Sequence, residues 1–133
     1  MTSLVSGRFV DWTRLVLHDP FTGLPGYALL LDRLEQSLVR ARTRGTLVTL
    51  VLVTAPTSLL EAARTLRAGL RPDFTVARYR DDTLAVLADH DFGDGSPIAS
   101  LVRQLVGEGA RVHWVTSDGD TPVEEVIATA EQH

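Results

Sequence analysis

FTVARYRDDTLAVLAD, residues 74–89, is the stretch on which the fold turns. Two apolar, β-favouring runs, 74–80 and 83–89, flank the acidic pair Asp81 and Asp82. Runs of this kind parted by two turn-forming residues outline a tight antiparallel hairpin. Upstream, TLVTLVLV (46–53) is short, rich in branched residues and without alternation, the pattern of a strand buried on both faces. Between that strand and the hairpin, Pro56, Thr57 and Ser58 open a helix to about Leu70, with Ser58 and Glu61 at capping-box spacing. Downstream of the loop DHDFGDG (89–95), Ser96 reads as an N-cap and Pro97 as the first helical residue. That helix carries Ile98, Leu101, Val102 and Leu105, and Gly107 and Gly109 close it. ARVHWVT (110–116) is a further strand. The centre therefore reads β-α-β-β-α-β, the ferredoxin-like order, with both crossover helices expected on one face of a mixed, mostly antiparallel sheet.

Outside this centre, DPFTGLPG (19–26) is dense in Asp, Pro and Gly and reads as a structured turn. From Tyr27 to about Arg44, Leu30, Leu31, Leu34, Leu38 and Ala41 recur at helical steps, and Gly45 ends the pattern. At the other end the turn SDGD (117–120) precedes a last helix, opened by Thr121, Pro122 and Glu124 in a capping-box arrangement. Phe9, Trp12, Leu15 and Val16 are helically spaced and suggest a short amphipathic lead-in helix over 1–18, so the division is a lead-in at 1–18 and one domain at 19–133.

Composition agrees with a single packed domain. The chain has 133 residues, 44% hydrophobic and 23% charged, close to ordinary globular proteins and far from disorder. It has no cysteine, which excludes disulfides, thiolate zinc sites and cysteine nucleophiles. The net charge of -4 argues against a generic nucleic-acid binder, which needs a basic face. All 13 basic residues are Arg. No apolar run approaches a membrane span and the N-terminus lacks the apolar core of a signal peptide, so a cytoplasmic location without membrane contact is expected.

Three segments, taken together, resemble the GGDEF domain, the family whose active members make cyclic di-GMP from two GTP. Asp19, Pro20, Thr22, Gly23, Leu24 and Pro25 resemble its D-P-x-T-G-L-P-N motif, with Gly26 where asparagine is usual. Arg78, Tyr79, Ala85, Val86 and Leu87 resemble the frame of the signature hairpin, and Asp118 to Ala130 its last turn and helix. The resemblance spans about residue 19 to the end. It implies an α/β (α+β) domain of ferredoxin-like, nucleotide cyclase-like fold.

The signature itself is RDDTL, Arg80, Asp81, Asp82, Thr83 and Leu84, where the family has GGDEF. The family's glycines let GTP phosphates lie against the backbone, space that a Cβ at Arg80 or Asp81 would occupy. Asp82 matches the third, acidic position, whereas Thr83 replaces the following glutamate and supplies no charge for a divalent cation. The family's first buried strand ends in an aspartate that helps hold two Mg²⁺. Here it ends at Val53, Thr54, Ala55 and Pro56. The guanine-reading stretch is replaced by the shorter TSLLEAARTL, and each purine group left unsatisfied costs roughly 1 to 3 kcal/mol. Of the family's R-x-x-D product site, Arg71 fills the Arg slot, but Phe74 stands fourth and Asp73 one residue early, on the opposite face of an extended segment.

No other constellation supplies chemistry. His18, His90, His113 and His133 are scattered, without metal-ligand spacing. Asp89, Asp91 and Asp94 miss the EF-hand pattern and read as a solvated loop. There is no G-x-S-x-G turn or phosphate loop. Trp12 and Trp114 read as core or helix-packing residues, with contact with another chain as the alternative for Trp12 on the lead-in helix. The expectation is a non-enzymatic regulatory or protein-interaction module, with a protein partner or a second copy and no cofactor or metal. The alternative is a nucleotide-binding effector for cyclic di-GMP or GTP, with Arg71 and Arg78 as candidate contacts.

Overall fold

The computed structural model describes residues 17–55 and 58–132. Apart from Leu17 and His18, the expected lead-in helix lies outside the described residues. Helix α1 spans Tyr27–Arg44, and Gly45 terminates it in the left-handed region at φ 70°, its N–H donating to Ala41 O at 2.9 Å. Strand β1 (Leu47–Thr54) follows, then α2 (Leu59–Gly69), β2 (Thr75–Arg78), β3 (Thr83–His90), α3 (Ser96–Val106), β4 (Arg111–Ser117) and α4 (Val123–Gln132). The sheet order is β2-β3-β1-β4, and every neighbouring pair is antiparallel. The expected, mostly antiparallel sheet is found, with all its neighbouring pairs antiparallel. Each crossover joins two parallel strands, but β3 inserts between β1 and β2, and β1 between β3 and β4, so no parallel strands become neighbours.

Helices cover both faces of the sheet. Leu30, Leu34 and Leu38 of α1 and Val126 and Ala130 of α4 pack on Val48, Leu50 and Leu52 of β1 and on Ala85 and Leu87 of β3. On the other face, Leu59, Ala63 and Leu66 of α2 and Ala99 and Val102 of α3 pack on Val51, Val53, Leu84 and Val86. The two crossover helices therefore share one face, as expected. Residues 48–53 of β1 are all buried, which explains why its sequence does not alternate: neither face meets water.

The turns test the sequence expectations. Ser58 does cap α2, its hydroxyl accepting from Glu61 N–H at 3.2 Å. Ser96 is instead the first helical residue of α3: Asp94 Oδ1 accepts from its N–H at 2.9 Å and its hydroxyl at 2.7 Å. Gly95 holds the cap position because a Cβ there would strike the Thr49 side chain. At α4 the first turn closes on Pro122 O, which accepts from the N–H groups of Glu125 and Val126 at 3.1 Å. The first hairpin strand is shorter than its apolar run: β2 stops at Arg78, and Tyr79 N–H donates to Thr83 O at 2.9 Å across the turn, whereas β3 covers its run and extends to His90.

Gly119, before α4, sits at φ +99°, and a Cβ there would lie 2.5 Å from Leu38 O and 2.6 Å from Arg42 N in α1. Backbone contact of this closeness leaves nothing flexible to yield. Gly119→Ala is therefore expected to cost at least about 1–3 kcal/mol in urea denaturation, and Leu50→Ala about 2–5 kcal/mol. Val39→Ala, at an exposed α1 position, should stay within about 0.5 kcal/mol.

Candidate functional site

The end of β1 and the tip of the β2–β3 hairpin meet at one place. Thr54 and Thr83 are cross-strand partners, and their hydroxyl oxygens lie 3.4 Å apart. The buried Thr83 hydroxyl donates to Asp82 Oδ1 at 2.9 Å, and Ala55 N–H donates to Asp82 O at 3.0 Å. One exposed carboxylate, Asp82, and two neutral hydroxyls thus form this junction. Divalent cations such as Mg²⁺ are held by carboxylates and substrate phosphates. Among the described residues no group of three or more His, Asp or Glu is placed to hold a metal ion.

The remaining hairpin side chains are tied into the domain. Arg78 Nη1 donates to Asp19 Oδ1 at 2.8 Å, Nε to Arg80 O at 3.3 Å and Nη2 to Asp81 O at 3.2 Å. Its guanidinium lies 5.6 Å from the Phe21 ring centre. Asp19 Oδ2 also accepts from the Thr22 N–H at 2.8 Å and hydroxyl at 2.7 Å, and Pro25 O accepts from Arg78 N–H at 2.8 Å. The 19–26 turn and the hairpin are consequently one unit. Burial pushes the Asp19 carboxyl up, but the bonds from Thr22 and Arg78 outweigh it and hold the group below its ordinary value of 3.8.

Arg80 leaves the tip for α4. It pairs with Glu131 and lies 5.0 Å from the centre of the Tyr79 ring. The Tyr79 hydroxyl donates to the same Glu131 carboxylate at 2.7 Å. Burial, then the bond and charge of Glu131, raise the Tyr79 hydroxyl well above the ordinary phenol range. The Tyr27 ring meets Tyr79 edge-on at 5.4 Å and 66°. Asp81 points into solvent, 3.8 Å from Arg78 Nη2, and Leu84 is buried in the core.

Arg71 is elsewhere. Its Nε and Nη2 donate to the two oxygens of Asp73, each at 3.1 Å, and it stands 5.4 Å from the Phe74 ring centre. Arg71 and Arg78 line different clefts. Arg71 shares a 380 Å³ cleft with Arg33 and Arg67, whereas Arg78 faces Asp19, Tyr27 and Asp81. No local sequence signal announced Arg33 or Arg67, since α1 and the end of α2 converge only in the fold. Glu131 was likewise silent, an exposed acid near the end of the last helix.

His90, His113 and Asp89 have structural partners, whereas among the described residues the buried His18 Nδ1 has none. Gly95 N–H donates to Thr116 Oγ1 at 2.8 Å, Thr116 Oγ1 lies 2.8 Å from Thr49 Oγ1, and Thr49 Oγ1 lies 2.7 Å from His90 Nε2. His90 Nδ1 is 3.3 Å from Phe92 O. Asp89 pairs with Arg40 at 2.9 Å. His113 Nδ1 lies 3.3 Å from Glu131 O, and Trp114 packs on the α2–α3 core.

No protein-family model matches the sequence, and no curated protein matches it. By structure it is similar to the coiled coil and GGDEF domain of DgcB from Caulobacter crescentus, in complex with cyclic di-GMP. The TM-score there is 0.83 at 13% identity, over 98% of this chain and 85% of that one. It is similar also to diguanylate cyclase SiaD from Pseudomonas aeruginosa, in complex with its activator SiaC, with TM-score 0.76 at 18% identity over 98% of this chain. The match spans 61% of the SiaD chain. The FimX GGDEF domain from Pseudomonas aeruginosa gives TM-score 0.75 at 16% identity, over 87% of this chain and 90% of that one. The chain thus has the GGDEF-domain fold.

The Asp19–Arg78 link makes a pH prediction. A carboxyl held below 3.8 in the folded state stabilises fully above that value, and the contribution is lost as pH falls through the lower folded value. Asp19→Asn is expected to flatten the acid limb of stability against pH below 3.8, read by chemical denaturation. At neutral pH it should cost about 1–3 kcal/mol, because Arg78 and Thr22 lose their charged acceptor.

Proposed function

We propose that this chain is a catalytically silent GGDEF-fold module, residues 19–133 behind a lead-in at 1–18, that serves bacterial signalling in the cytoplasm by engaging a protein partner. The observation that carries this reading is the Thr54–Thr83 hydroxyl pair at 3.4 Å. Cyclisation of GTP in the family needs anions at the end of the first strand and in the signature to hold two cations over the reacting phosphate. Two neutral hydroxyls beside one exposed carboxylate supply too little charge. The arginine and aspartate in the glycine slots add bulk where phosphates would approach, and Arg80 is committed to Glu131. What stays intact is the scaffold, and a scaffold with an idle site is suited to contacts with other proteins. The complex of SiaD with its activator SiaC supports that choice of partner class.

A second reading, a nucleotide effector without cyclase activity, is favoured by one feature. Arg71 is exposed with its guanidinium against Phe74, a surface on which a guanine can stack. The bidentate bond to Asp73 weighs against it, since that carboxylate competes for the same donors. Arg78 is further removed, held by Asp19.

Incubation with GTP and Mg²⁺ or Mn²⁺ is expected to give no cyclic di-GMP, and product would overturn the silent assignment. Calorimetric titration of Mn²⁺ into the chain should give no saturable heat. The double substitution Thr54→Asp with Thr83→Glu should create a saturable site, because it places two carboxylates on facing strands beside Asp82. Should that variant remain blind to Mn²⁺ while folded, the missing anions are not what silences the site.

A further inference from the structure

The outer edge of β2 carries a slot that the proposed function leaves unused. Tyr79 N–H donates inward to Thr83 O, whereas Arg78 N–H donates outward to Pro25 O. Backbone groups alternate along an antiparallel strand, so the N–H and C=O of Val76, two residues upstream, also face outward. β2 ends the sheet, and among the described residues no backbone bond reaches Val76 from outside. The 19–26 turn therefore covers the edge at Arg78 and stops short of Val76.

Val76, its side chain buried in the core under α2 and α3, borders the 380 Å³ cleft between that turn, α1 and the C-terminal end of α2. Its walls combine Arg33, Arg67 and Arg71 with the apolar Pro25, Leu70 and Val76, and no carboxylate lines it. Asp73 answers Arg71, while among the described residues Arg33 and Arg67 make no ion pair. In a chain of net charge -4, this local excess of arginine over an open strand edge selects the occupant by charge. The chain's own residues 1–16 are poorly suited, with Arg8 and Arg14 against Asp11 alone.

We infer that the β2 edge at Val76 is a docking slot for an extended acidic peptide of a partner protein, paired to the strand backbone with its carboxylates toward Arg33 and Arg67. The main chain of such a peptide supplies affinity through the edge, and alternate side chains reach the arginines, the logic of strand addition. A small polyanion would use the arginines but leave the strand edge and apolar floor unengaged. This inference deepens the proposed function by naming the partner chemistry, and it fails independently: cyclic di-GMP synthesis would overturn the silent assignment without touching the slot.

The test uses the full chain and a fluorescein-labelled peptide of alternating Glu and Val, with a Lys-Val peptide and an N-methylated Glu-Val peptide as controls. Saturable anisotropy is expected for the Glu-Val peptide alone, with amide exchange at Val76 slowed on saturation. Arg33→Ala with Arg67→Ala should weaken binding about tenfold, with the melting temperature checking that the variant is folded. Equal binding of the N-methylated or Lys-Val peptide would overturn the inference, as would unchanged exchange at Val76. Full displacement by inorganic pyrophosphate at equal affinity, with Val76 unprotected, would assign the cleft to a small anion instead.

Discussion

A strand whose side chains are buried on both faces cannot slip along its neighbours, because a shift of one residue carries each side chain to the opposite core. β1 is in that position, with Leu50 and Leu52 in the layer under α1 and α4, and Val51 and Val53 in the layer under α2 and α3. Its register with β3 then places Thr54 opposite Thr83. That pairing brings the strand end to the hairpin tip, and it would bring any carboxylates at those positions together as well. The geometry of this junction is a product of core packing; its charge is a matter of the side chains that stand there.

The arginines around the tip serve the frame. Arg78 ties the hairpin to the 19–26 turn through Asp19, and Arg80 ties it to α4 through Glu131. The first is half-buried and accompanied by backbone acceptors, so it contributes more than an exposed pair. The second sits beside a buried tyrosine whose hydroxyl shares the Glu131 carboxylate. The chain segments nearest the junction are thereby fixed relative to both ends of the domain. Such rigidity suits a scaffold that presents surfaces, among them the basic cleft and open edge beside Val76.

Much of the frame was legible in the chain. The leucine spacing of α1 and the unalternating run of β1 each identify one element, because periodicity records which side meets water. Ser58 announced its cap correctly, since capping is a three-residue affair. Ser96 misled because Asp94 and Gly95 offered an equally local solution, and Gly95 was favoured only by the Thr49 side chain lying behind it. The order of the strands was not legible, because strand insertion is a long-range event, which no window of the sequence records.

For the site, the sequence alone determined the chemical inventory: threonines at 54 and 83, arginine and aspartate at the hairpin tip, and no cysteine anywhere. Side-chain chemistry is a property of the residue, so it can be read before folding. Only the tertiary structure decided who meets whom: that Arg78 turns to Asp19, that Arg71 is answered by Asp73, and that Arg33 and Arg67 converge on a strand edge left open at Val76. Those outcomes depend on helices and strands far apart in the chain arriving at one place, and it is the burial of apolar surface, not any local motif, that brings them there.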